Sequence, residues 1–302
     1  MNLVVCLNKK LSITSHDAVS AVKKTFKVRK AGHTGTLDPA ATGVLLVCLN
    51  EATKITGYLS DLDKEYVVTA KLGESTDTYD SEGIVTKRAG AFHIAESELE
   101  DIIKEFTGDI EQVPPMHSAI KVAGRPLYEL ARKGIEIERK PRRISINSLE
   151  ILRFESPFLT LRVGCSKGTY IRSLCNDIGN ALGTGAYVTD LSRTKVGSFT
   201  IEGSAAPDEL PYKTKALYTI DSALAHLQEI ALDSDASKRA KNGNPVRLDQ
   251  QTGPHDRSSP PRTSGPPAPR SPFVRLKDHG GRTFGIGKIN KDFIKIERLF
   301  NI

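Results

Sequence analysis

The stretch that most restricts this chain is Ala31-Gly32-His33-Thr34-Gly35-Thr36-Leu37-Asp38-Pro39-Ala40-Ala41-Thr42-Gly43, which runs directly into the apolar Val44-Leu45-Leu46-Val47-Cys48-Leu49. Pro39 disfavours the helical region for Asp38, and the glycines admit positive φ and close backbone approach, so the stretch reads as a loop. Val44 to Leu49 is too short for a helix and is flanked by Gly43 and Asn50, which predicts a buried strand. A polar loop held on one side by a rigid strand is where binding and chemistry concentrate. This one carries a carboxylate (Asp38), an imidazole (His33) and the hydroxyls of Thr34, Thr36 and Thr42.

Local chemistry alone leaves the use of these groups open. An Asp-Pro pair is an ordinary turn former, and a loop histidine is ordinarily hydrogen-bonded scaffold. Neither the phosphate loop GxxxxGK[ST] nor the dinucleotide fingerprint GxGxxG is present in the stretch. Cys6, Cys48, Cys165 and Cys175 are scattered, with no CxxC pair and no matching histidines, so they read as buried thiols rather than a zinc site or a disulfide framework. The acidic loop Thr76 to Gly83 departs from the calcium-binding EF-hand pattern after its first positions. Nothing in the pattern implies a cofactor or a metal.

A chain of 302 residues, 38% of them hydrophobic, is long enough for one large domain and a smaller one. There is no apolar run of membrane-spanning length, and Met1 to Lys10 lacks the basic-then-apolar order of a signal peptide. The expectation is a cytoplasmic protein with no membrane contact. The formal charge of +7 matters less than its placement. Between Lys9 and Lys30 stand Lys9, Lys10, Lys23, Lys24, Lys27, Arg29 and Lys30 against the single acid Asp17, directly upstream of the Asp38 loop. Such a cluster suits the phosphates of RNA. A second basic region comprises Lys121, Arg125, Arg132, Lys133, Lys140, Arg142 and Arg143.

Thr14-Ser15-His16-Asp17 predicts a capping box opening a helix with Val19, Val22 and Phe26 on its inner face. Ala52 to Leu59 reads as a short helix and Lys64 to Gly73 as a strand. Leu99, Ile102, Ile103 and Phe106 predict an amphipathic helix stopped by Gly108, and Pro114 with Pro115 excludes a helix there. Alternating Leu159, Leu161, Val163 and Cys165 predict a half-buried strand. A helix capped by Thr169 should follow, with Ile171, Leu174, Cys175, Ile178 and Leu182 inward and Gly183 as its stop. Asp221 to Leu232 reads as a helix closing the large domain, 1–232. Residues 233–302 then form the small one, with strands near Phe273 to Leu276 and Gly285 to Glu297. Residues 251–272, dense in Pro, Ser, Gly and Arg, read as a disordered insertion.

GHTGTLDPAATGVL, residues 32–45, closely resembles the signature of the bacterial tRNA pseudouridine synthase B family. Gln112 to Gly134, Cys165 to Leu174 and Leu191 to Phe199 resemble further blocks of it, the last expected to close the active-site cleft. Ala240 to Arg247 resembles the opening of its PUA-like RNA-binding domain. The resemblance implies an α+β fold, with a mixed, mainly antiparallel sheet and a small β-rich C-terminal domain. It implies isomerisation of the uridine at position 55 in the T-loop of tRNA, with the target base flipped out. Asp38 is then the catalytic residue, Arg172 of Tyr170-Ile171-Arg172 its guanidinium partner, and Tyr66 the ring against the base. His33 fills the space the nucleotide leaves, while Tyr170, Lys23, Lys24 and Arg29 bind substrate. The family needs no cofactor, and a monomer acting without a protein partner is expected. Lys10 and Ser12 stand where the family has Pro and Gly, and His117 where it more often has Tyr.

A solitary ionised carboxylate can serve as nucleophile toward the sugar or as base in an elimination, and the residues do not choose between them. Two other classes stay open on the residues. One is a noncatalytic tRNA-binding or RNA-folding protein on the same scaffold, which would not need Asp38, Tyr66 and Arg172 together. The other is a small-molecule α/β enzyme, whose ligand affinity would be indifferent to salt.

Overall fold

The computed structural model describes residues 1–122, 124–210, 212–248 and 271–301. Its elements in order are β1 (Leu3–Lys9), α1 (Ser15–Thr25), β2 (Ala31–His33), β3 (Ala41–Leu49), a 3-10 turn (Asn50–Ile55) continuing into α2 (Thr56–Ser60), and β4 (Lys64–Leu72). Then come β5 (Glu74–Thr76), β6 (Val85–Arg88), α3 (Glu96–Glu105), β7 (Gly108–Gln112), β8 (Lys121–Val122), β9 (Arg125–Pro126) and α4 (Leu127–Ala131). β10 (Arg142–Glu155), β11 (Phe158–Cys165), α5 (Ile171–Ala181), β12 (Ala186–Val196), β13 (Phe199–Thr200), β14 (Leu217–Thr219) and α6 (Ile220–Ala223) complete the first part. The remainder is β15 (Gln228–Ala231), α7 (Ser234–Lys241), β16 (Val246–Arg247), β17 (Phe273–Lys277), β18 (Thr283–Asn290) and β19 (Phe293–Leu299).

Among the described residues the large sheet runs β14-β1-β3-β12-β4-β11-β10-β7, with β2 beside β3 and β13 beside β12. Every pairing is antiparallel except β3 with β12. This is the mixed, mainly antiparallel α+β architecture expected. The unbroken apolar run of β3 is explained by burial on both faces. Leu45, Val47 and Leu49 join the core under α1, α3 and α5, whereas Val44, Leu46 and Cys48 join a second core on the opposite face. That second core also takes in Ile286 and Phe300, so the second sheet packs against the back of the first. β4 and β11, covered on one side only, alternate as their sequences do.

The capping box of α1 is formed by Thr14 and Asp17, and Gly183 takes the positive φ that follows α5. Four local expectations are corrected. Residues 52–59 form a 3-10 turn followed by a single α-turn rather than one helix. α3 ends at Glu105, and Gly108 instead opens β7 at φ +98°. Tyr170, not Thr169, is the N-cap residue of α5; the Thr169 hydroxyl donates to the Ser166 carbonyl at 3.0 Å.

The helix expected over 221–232 is the fourth correction. Only Ile220–Ala223 is helical, and Gln228–Ala231 is a strand running parallel to β17 in the second sheet, β15-β17-β18-β19-β16. Apolar spacing suited a helix here, but Ile230 and Leu232 are instead spent on the small domain's core. The second sheet therefore takes its first strand ahead of the expected start at 233. Of the expected insertion 251–272, residues 251–270 lie outside the described residues, while the Pro272 carbonyl already accepts from the Ile289 amide at 2.8 Å. No described helix is long and apolar enough to cross a membrane.

Candidate active site

The Asp38 loop is pinned from several sides before Asp38 itself is considered. Ser15, at the first position of α1, accepts from the Leu37 amide and donates to the Leu37 carbonyl, both at 2.8 Å. The Ser12 amide donates to the Pro39 carbonyl at 2.9 Å, and the Ala41 amide to the Asp38 carbonyl at 3.0 Å. Lys9, wholly buried, points its ammonium at the carbonyls of Ile13 (2.8 Å), Lys10 (3.0 Å) and Pro39 (3.4 Å). Burial pulls the Lys9 pKa down to about 8, with Asp38 opposing and Arg193 adding to the fall. Lys9 is thus a structural clamp and no part of an RNA-facing surface. Gly43, at φ +101°, is required because a Cβ there would lie 2.2 Å from the Arg193 carbonyl oxygen where β3 meets β12.

Arg172 lies in the first turn of α5, a position that places a cation at the positive end of a helix. Its surroundings compensate. Nη2 is 2.9 Å from Asp38 Oδ2 and Nη1 is 3.1 Å from Asp80 Oδ2. The guanidinium also donates to the carbonyls of Thr78 and His117, each at 2.8 Å. Only 7% of the Arg172 side chain is exposed, against 40% of Asp38 and 10% of Asp80. The fork therefore holds one well-exposed carboxylate and one that is nearly buried. Asp38 uses Oδ2 alone in this pairing, and no described residue bonds Oδ1.

Asp80 is a site residue that the sequence reading passed over. Its Oδ1 accepts from Thr78 Oγ1 (2.5 Å) and from the Glu82 amide (3.1 Å), and its backbone bridges to Val188 on β12. No described cluster of His, Cys, Asp or Glu could hold a metal. Nothing in the loop's own sequence sets Asp80 apart from Asp77 and Glu82; its partner Arg172 is brought up by the fold. Gln112 is a second omission. Its amide oxygen accepts from the Tyr170 amide (2.8 Å) and its nitrogen donates to the Tyr170 carbonyl (3.0 Å), fixing the start of α5 on which Tyr170 and Arg172 sit.

Asp38, Ala40, Ala41, Asp80, Ser81, Arg172 and Val188 to Leu191 line a narrow cleft. Leu191 is the point at which the fourth sequence block reaches it; the rest of that block is a central strand and a hairpin behind the cleft. Tyr170 is half-buried, and burial raises its pKa. Tyr66 is 9% exposed, is not among the residues that line the cleft, and lies on β4 directly across from Arg193 on β12. Burial raises the pKa of its phenol, with Arg193 pulling the other way. His33, on β2, is half-buried with Nδ1 unpartnered; burial lowers its pKa, and Arg193 and His16 add to the fall.

Lys23, Lys24 and Arg29 are exposed on and after α1 and make no part of the cleft. Lys27 and Lys30 flank them and are also exposed, as are the cations of the second basic region, Lys121, Arg125, Arg132, Lys133, Lys140, Arg142 and Arg143. All four cysteines are free and buried; burial raises their thiols to about 12, or about 11 for Cys165, which leaves them unreactive.

Comparison with known proteins identifies the family. Residues 23–171 match the model for the N-terminal domain of TruB family pseudouridylate synthases, and residues 172–230 match that for the tRNA pseudouridylate synthase B C-terminal domain. The chain is 47% identical over 249 residues to tRNA pseudouridine synthase B of Clostridium tetani, covering 82% of this chain and 86% of that one. It is 42% identical over 303 residues to the protein of the same name from Clostridium kluyveri, covering 99% and 100%. Among solved structures, a chain of a Cbf5-Nop10-Gar1 complex superposes with a TM-score of 0.74 at 27% identity, over 99% of this chain and 84% of that one. The chain belongs to the TruB family of tRNA pseudouridine synthases.

Proposed function

We infer that this site isomerises the uridine at position 55 in the T-loop of tRNA, with Asp38 as the catalytic residue. Conversion of uridine to pseudouridine in tRNA is the activity of the family to which the chain belongs. The observation that carries the finer reading is the Asp38–Arg172–Asp80 arrangement on the cleft. A buried guanidinium holds one accessible carboxylate in a fixed orientation through one of its two oxygens.

The reaction breaks the N1–C1′ bond and forms a C5–C1′ bond. The proton on C5 leaves and N1 gains one, so the overall change is an isomerisation and draws on no outside donor. Asp38 acts at the sugar, where a carboxylate can open and later release C1′. A base inside a folded T-loop must be extruded to reach it, and the exposed cations Lys23, Lys24 and Arg29 grip the flanking phosphates without reading sequence. Tyr170, at the start of α5 and near enough to Asp38 and Arg172 to feel both charges, contacts the substrate. Tyr66 lies against the target base, and His33 occupies the space that the flipped nucleotide leaves. A monomer acting without a protein partner belongs to the same reading, and a tRNA substrate supports a cytoplasmic location.

Incubation with an unmodified tRNA transcript, followed by mapping of pseudouridine, tests the position. Asp38→Asn should bind the transcript and form no product, and substantial turnover by that variant would remove Asp38 from the mechanism.

A further inference from the structure

Arg193 is 3% exposed and forms no ion pair with a carboxylate among the described residues. A buried guanidinium without a counter-ion is costly unless its donors are satisfied by well-placed acceptors. Here the acceptors are backbone carbonyls of the loop that carries Asp38 and of β3, the strand that follows it. Nε donates to Val44 O at 2.7 Å, Nη2 to Gly35 O at 3.1 Å and Nη1 to Thr36 O at 3.5 Å. These carbonyls flank Asp38 on both sides in sequence.

The same side chain faces Tyr66. Arg193 and Tyr66 are direct cross-strand partners in the β12–β4 pairing, which sets their side chains next to each other on one face of the sheet. The guanidinium charge acts on the phenol, opposing the rise in pKa that burial imposes. The β12 strand is fixed where Arg193 leaves it. Gly43 of β3 packs against the Arg193 backbone with no room for a Cβ, and the register shifts just after Arg193, where Thr194 donates to Glu65 at 2.7 Å. One fork thus joins the Asp38 loop to the Tyr66 ring.

We propose that Arg193 is a positioning residue for the isomerisation, holding the Asp38 loop and the Tyr66 phenol in one fixed relation so that sugar chemistry and base chemistry occur at a single nucleotide. The inference rests on the reading of Asp38 and Tyr66 given above. It requires the planar fork and not merely a positive charge, because an ammonium is a point donor that cannot span carbonyls on both sides of the loop and the phenol together.

The test uses the full-length chain and an unmodified tRNA transcript, with Arg193→Lys and Arg193→Met compared with wild type and with Tyr66→Phe. Single-turnover rate, tRNA affinity and melting temperature are measured for each. Arg193→Lys should keep tRNA affinity within about twofold and lose about 10²-fold in rate, the scale of a small misplacement of reacting groups. In Arg193→Met the charge beside the phenol is gone, so the limb of the pH–rate profile owed to Tyr66 should move to higher pH. In the Tyr66→Phe background that movement should vanish. Should Arg193→Met fail to fold, the rate-against-affinity split in Arg193→Lys decides alone. Wild-type rates in Arg193→Lys, a loss confined to tRNA affinity, or parallel pH profiles with and without Tyr66 would overturn the proposal. A wild-type protein that forms no pseudouridine at position 55 would instead overturn the reading beneath it.

Discussion

Replacing Asp80 with Asn tests whether the buried carboxylate matters to a reaction it does not touch. Arg172 has two anionic neighbours, Asp38 Oδ2 at 2.9 Å and Asp80 Oδ2 at 3.1 Å. At an effective dielectric constant near 20 a full charge at that distance interacts by about 5 kcal/mol before desolvation is counted. Asn keeps the shape and one acceptor oxygen, and the Thr78 and His117 carbonyls remain at 2.8 Å. The net loss is therefore closer to one charge-assisted hydrogen bond, about 1.5–3 kcal/mol. Arg172 anchored on one side only will shift toward Asp38, so this loss should fall on the transition state, slowing single-turnover formation of pseudouridine by about 10- to 100-fold. Because the C5 proton must leave, release of tritium from tRNA labelled at uridine C5 measures the rate directly. Affinity for tRNA, read by filter binding, should change little, since Asp80 is 10% exposed. An Asp80→Asn protein that turns over at the wild-type rate would refute the argument that Asp38 depends on a guanidinium braced from behind. A loss in affinity equal to the loss in rate would refute it as well.

Ser12 adopts φ +64°, where a side chain costs about 1–2 kcal/mol; Ser12→Gly should recover that less the greater entropy of glycine when unfolded, a net gain of about 0.5 kcal/mol, and a urea melt showing destabilisation would contradict it. Lys23→Gln with Lys24→Gln should lower the slope of log affinity against log salt by about 2 without changing the rate on bound tRNA; an unchanged slope would place the RNA elsewhere. The folded-state pKa of Lys9, about 8, lies below its ordinary 10.5, so between those values the unfolded chain holds a proton that the folded chain does not. Stability owed to Lys9 must then rise with pH across that window and be lowest below it. Urea melts at pH 7.5 and 10 should show wild type gaining about 2 kcal/mol relative to Lys9→Met, and identical pH dependence of the two would refute the burial of that charge.

How much of this was legible in the sequence follows from what each signal depends on. The β3 run, the Thr14–Asp17 capping box and the alternation of β11 are local patterns, and each became the element it specified. The 221–232 segment failed because its apolar spacing satisfies a helix, and only the distant strand β17 makes it a partner for a sheet. The site divides in the same way. Asp38 and Arg172 sit in recognisable blocks, and the structure joins them across 134 residues of sequence by an ion pair. Asp80, Gln112 and Arg193 were invisible because what defines them is a partner brought up by tertiary folding: a cation for Asp80, the backbone of Tyr170 for Gln112, loop carbonyls for Arg193. Charge counting misled in one instance, since Lys9 belongs by sequence to the RNA-facing cluster yet is wholly buried. Lys9 and Arg193 each spend their donors on carbonyls of the Asp38 loop, a use of positive charge that no composition can distinguish from a surface. The loop is therefore held from behind by Lys9 and Arg193 and Asp38 itself is paired with Arg172, so buried cations govern where Asp38 stands.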